Sequence, residues 1–117
     1  MDESILISIK QMLGIEEDDT DFDLDVIALI NGAFSTLWQI GIGPEAGFMI
    51  SDRSTTWDSY LTDVNQLSSA KCYIYDRVKL VFDSNTSPSF VVTELRKDME
   101  EHYWRLSIMA DETKNED

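Results

Sequence analysis

The chain holds one histidine and one cysteine, and these are the first places to look for chemistry. His102 follows Asp98 by four residues, which on a helix sets imidazole and carboxylate side by side. Such a pair moves protons usefully only with a shifted pKa and a pocket around it. Neither a second His nor a second Cys exists to complete a zinc site. Cys72 stands in a strongly acidic chain, whereas a reactive thiolate needs a positive setting. It reads as a reduced, structural cysteine. Residues 16–25 place Asp21, Asp23 and Asp25 in the alternating order of a calcium loop. Counted from Asp21, the sixth position is Val26 and the twelfth is Gly32, where an EF-hand needs Gly and a bidentate Glu. The run therefore reads as a solvated acidic turn that caps the helix after it. Gly41-Ile42-Gly43 runs into Pro44, which makes it a helix stop and not a phosphate cradle. The expectation is a chain that is not an enzyme and that takes no metal and no cofactor.

Aromatic residues offer a different chemistry. Trp38, Trp57 and Trp104, with Tyr60, Tyr73, Tyr75 and Tyr103, are many for a core this small. Some must lie at the surface, where large aromatics mark protein–protein contacts. The apolar residues Phe48, Met49 and Ile50, with Trp57, stand in or beside a long stretch without helical period and are expected to contact a neighbour. His102, Tyr103 and Trp104 are a second expected contact group.

The elements that position these residues follow from spacing. Ile5, Leu6, Ile9, Met12 and Leu13 make one face of a helix over 3–13, with Asp2, Glu3 and Ser4 at its positive end and Gly14 as its stop. Leu24, Ile27, Ile30, Phe34 and Leu37 predict a helix over 21–39, with Thr20, Asp21 and Asp23 as available caps. Gly32 inside it costs about 1 kcal/mol against Ala, and its expected use is close approach of a neighbouring helix. Residues 47–51 suit a short strand or an extended arm. Thr55 or Thr56 then caps a short helical turn carrying Trp57 and Tyr60. Leu67, Ala70, Ile74, Val78 and Val81 predict a helix over 63–82, and residues 83–89 read as a turn. Val91, Leu95, Met99, His102 and Leu106 predict the last helix, opened by Ser87-Pro88. The sum is an all-α fold, a small bundle of four main helices plus one short one, with a long central loop that has room for short strands. Residues 1–110 form a single helical domain, and 111–117 form an acidic, disordered tail.

Composition sets the outer limits. One domain fits 117 residues, and 43% apolar residues suffice for one modest core. Asp and Glu number 23 against 9 Lys and Arg, a net charge of −14. That excess argues against binding nucleic acid or an anionic membrane. No apolar run reaches the roughly 18 residues of a membrane span. The opening residues lack a basic region and an apolar signal core, so the chain is expected in the cytosol. The same charge leaves room for a small acidic regulator or DNA mimic from a mobile element.

The stretch GIGPEAGFMISD at 41–52, followed by WDSYL at 57–61, resembles the central loop of phage head–tail connector (adaptor) proteins of tailed phages and prophages. KCYIYDRVKLVFD at 71–83 is similar to that family's next helix and turn, Leu95 to Leu106 to its last helix, and ILISIKQMLGIEE at 5–17 to its opening. The departure is Ser84-Asn85-Thr86, where the family's turn is rich in proline. The resemblance implies a structural virion protein that assembles as a ring of about twelve subunits at the phage neck. The ring extends the DNA channel, with DNA as passing cargo only. It also implies a portal protein on one side and the next neck or tail-completion protein on the other. The central loop and C-terminal segment would make the contacts. Such a protein resides in the virion, and in the host cytoplasm during assembly.

Overall fold

A computed structural model describes residues 3–82 and 88–115, without the side chains of 113–115. Four α-helices follow one another among these residues: α1 (Ile5–Met12), α2 (Asp23–Gln39), α3 (Val64–Phe82) and α4 (Ser89–Asn115). A short 3-10 turn at Trp57–Ser59 interrupts the connection between α2 and α3. The expected all-α bundle of four main helices and one short one is thus what forms. The turn at 83–89 falls largely outside the described residues, as do Asp2 and positions 116 and 117.

Serine 4 caps α1, its Oγ accepting from the Ile7 amide at 3.2 Å. Ile5, Leu6 and Ile9 are buried, as their spacing requires. Lys10 is buried with them and was not part of the predicted stripe. Its Nζ donates to the carbonyls of Glu17 (3.2 Å) and Asp19 (2.6 Å) and lies 2.8 Å from Asp23 Oδ1. The acidic run therefore wraps around a lysine of its own chain. A buried ammonium is tolerable only when oxygens replace its water, and three do so here.

That ion pair also sets the rotation of α2. Asp23, Val26, Ile30, Ala33 and Leu37 share one face, and the four apolar members are buried. Leu24, expected inside, is 81% exposed because it sits one position off that face. Asp23 is the first residue of the helix and not its cap, and Phe22 at the cap position makes no side-chain bond. At the other end, Ile42 N–H reaches Leu37 O (2.9 Å) and Gly41 N–H reaches Trp38 O (3.0 Å). This paired closure needs a left-handed residue, supplied by Gly41 at φ +93. Gly32 does not admit another backbone: a Cβ there would meet only Arg77 Nη2, at an ordinary 3.7 Å.

Helix α3 is the central element, packed by both α2 and α4. Asp63 caps it, its Oδ1 accepting from the Gln66 amide at 3.0 Å. Burial on two sides explains why Tyr73 and Asp76 are inside as well as Ala70, Ile74 and Val78, while Val81 is exposed. Helix α4 opens on the Pro88 carbonyl, which accepts from Val91 and Val92. It continues to Asn115, past the end near Met109 that apolar spacing suggested. Leu106 and Ala110 are its buried anchors. Beyond them each added residue only propagates an existing helix, which costs far less than starting one.

Candidate functional site

The connection at residues 40–63 is held in place by groups from three helices, α1, α2 and α3. Asn31 on α2 donates from Nδ2 to Ile50 O (2.9 Å) and accepts at Oδ1 from Ile50 N–H (2.8 Å). One side-chain amide thus satisfies both backbone groups of Ile50, as a neighbouring strand would. Residues 47–51 form no strand, and among the described residues only the single bridge Ser4–Thr56 has β-type pairing. At that bridge Ile5 N–H reaches Thr55 O (3.0 Å) and Trp57 N–H reaches Glu3 O (3.1 Å). Trp57 Nε1 donates to Ser8 Oγ at 2.7 Å, and the Lys71 ammonium lies 5.3 Å from its ring centre. Trp57 and Ile50, two of the residues expected to meet a neighbour, are therefore buried in the chain's own core.

Phe48 is half-buried in a three-ring cluster, 5.0 Å from Phe34 and 4.9 Å from Tyr60, ring centre to ring centre. Tyr60 packs so closely on Gly43 that a Cβ there would stand 2.8 Å from its Cε1, and Gly43 is also at φ +101. Burial pushes the Tyr60 phenol up, far from any role as a proton donor near neutrality. These rings fix the loop and leave its next residue, Met49, 72% exposed.

Met49 forms one wall of an open groove of about 410 Å³ between α2 and the loop. Phe34, Trp38 and Phe48 supply aromatic surface, and Asn31 and Ser35 lie on the α2 side. Trp38 is half-exposed and tied by its Nε1 to Glu45 O at 2.9 Å, which orients the indole toward solvent. The sequence shows Trp38 as one aromatic among several, and its place at the groove is set by this pairing with a loop carbonyl seven residues on. The second expected group divides. Tyr103 packs toward Tyr73 at 5.9 Å and His102 is half-buried, while Trp104 is 62% exposed on the outer side of α4.

The titratable residues come together at the α3–α4 interface. His102 Nε2 lies 3.6 Å from Asp98 Oδ2, as their spacing implies. Asp76, which sequence reasoning passed over, is 3% exposed and bonds through its carboxyl to Asp98. Burial, then this hydrogen bond and the charge of Asp98, push Asp76 up to about 8. Burial and the charges of Asp76 and Asp98 also push the Cys72 thiol up, which keeps it a thiol. A protonated carboxyl, a thiol and a half-buried imidazole are thus packed together between the two helices. No cluster of metal-ligating side chains occurs among the described residues. No helix of the described residues is long and apolar enough to cross a membrane.

The exposed apolar surface thus includes an aromatic–methionine groove and a separate tryptophan on α4. Neither a curated protein nor a solved structure matches the chain. A family model described as phage connector protein matches residues 5–113, from the start of α1 to near the end of α4. With nearly its whole length matched, the chain belongs to the phage connector protein family.

Proposed function

We propose that the protein is a structural part of the phage neck, a subunit of a ring that joins the portal to the tail and continues the DNA channel. The observation that carries the reading is the family match over residues 5–113. The surface supports it in two ways. A net charge of −14 repels DNA phosphates, so a channel wall of this composition lets DNA pass without adhering. Exposed Trp38, Met49 and Trp104 give apolar anchors of the kind that dominate protein contacts. In this role the chain is a connector and not an enzyme, and its partners are further copies of itself, the portal protein and the next neck or tail-completion protein.

The test is mass by light scattering after gel filtration, over a concentration series, alone and with a cognate portal. A ring-sized species, or a monomer that joins the portal, is the expected result. A chain that stays monomeric and ignores the portal would overturn the reading. Recovery of a cellular DNA-binding protein at low salt would replace it with the DNA-mimic role.

A further inference from the structure

Copies that each carry −14 repel one another, so the faces across which they can meet are those with least charge. Residues 26–44 contain no charged residue, although 27% of the chain is charged. This stretch covers most of α2 and reaches the first turn of the loop, and it supplies Asn31, Phe34, Ser35 and Trp38 to the groove that Phe48 and Met49 complete. By contrast, residues 14–25 contain seven acidic residues and no basic one. The other candidate face belongs to α4, where charge is dense but nearly balanced: its 27 residues hold four of the chain's nine cations against six acids. Along its outer side, Phe90, Lys97, Glu101, Trp104 and Ile108 recur at spacings of seven, four, three and four, a single exposed stripe. Glu101 and Arg105 beside Trp104 neutralise each other at 2.7 Å. One face is concave and the other carries a projecting indole, and they lie on different helices. A head-to-tail ring needs two such unlike, complementary patches on each subunit.

We propose that the groove between α2 and the loop receives Trp104 of a second copy of this chain, so that α4 of one subunit lies against α2 of the next. This inference rests on the ring reading above and assigns its subunit contact. The indole enters among Phe34, Trp38 and Met49, and aromatic and methionine side chains adapt well to one another. Arg105 of the entering helix comes toward Glu45, which stands beside Trp38 at the groove's edge.

Two measurements test it on the full-length chain. Trp104→Ala should weaken self-association at least about tenfold, as loss of a central anchor does. Val64→Ala, which removes an exposed apolar side chain elsewhere, should leave it unchanged. In a Cys72→Ser background, Ser35→Cys (groove) and Ile108→Cys (stripe) are made as separate proteins and mixed under oxidising conditions. A mixed disulfide that exceeds either homodimer supports the proposal. Cross-links only between like variants would mean a symmetric contact and overturn it, as would a ring that forms equally well with Trp104→Ala. Met49→Ala that binds portal less well but self-associates normally would assign the groove to the portal instead. Failure of the wild-type chain to assemble under any condition sinks the ring reading itself, which separates that failure from this one.

Discussion

Two buried charged residues, Lys10 and Asp76, carry most of what is unusual at the scale of single side chains. Lys10 is satisfied by three oxygens, so it stabilises the acidic turn it would otherwise disrupt. Asp76 is less well served: its Oδ2 is buried without a hydrogen-bond partner. Its pKa is about 8 in the folded chain, against 3.8 as the ordinary value. Between these two pH values the folded state holds a proton that the unfolded state has lost. Stability contributed here is therefore full below pH 4, falls as pH rises toward 8, and is level above it. Asp76→Asn should match the wild type near pH 4 and exceed it at pH 8 by about 1–3 kcal/mol, the cost of an unsatisfied buried polar group. Urea midpoints measured across that range check it. Parallel curves for the two proteins would show that Asp76 is solvated.

At the scale of elements, the helices were legible and the loop was not. Apolar spacing predicts α1, α2 and α3 to within a residue or two at most ends, because a helix announces itself by its own period. It misplaces Leu24 because neighbouring registers of one helix look alike until a partner such as Lys10 selects one. It stops α4 early because apolar periodicity reports packing, and no apolar residue follows Ala110. The loop has no period to read. Its fold depends on Asn31, nineteen residues away in sequence from the Ile50 backbone it holds. Asn31→Ala should leave both groups of buried Ile50 unpaired and cost about 1–3 kcal/mol. Amide hydrogen exchange at Ile50 should quicken markedly while that of α3 keeps its protection. Unchanged exchange at Ile50 would mean that the ring cluster alone secures the loop.

For the whole molecule, the decisive quantity is charge. Copies carrying −14 resist assembly through long-range repulsion, while the proposed contact is centred on apolar residues. Salt screens the first and leaves the second. Self-association should therefore strengthen severalfold between roughly 0.1 M and 1 M salt, as the screening length falls from about 10 to about 3 Å. Sedimentation velocity at several salt concentrations measures this, and weakening with salt would place ion pairs at the centre of the contact.

By itself the sequence determined the helical class, the acidic character and the family, since each rests on local period, composition or residue order along the chain. It also marked Met49 and Trp104, whose surroundings it could not see. The tertiary structure decided which apolar residues remain for a partner. Ile50 and Trp57 resemble Met49 in sequence, but packing draws them inward and leaves Met49 outside, beside Trp38. Burial depends on what lies across the fold, so hydrophobicity alone could not separate residues that hold this subunit together from residues free to hold the next one.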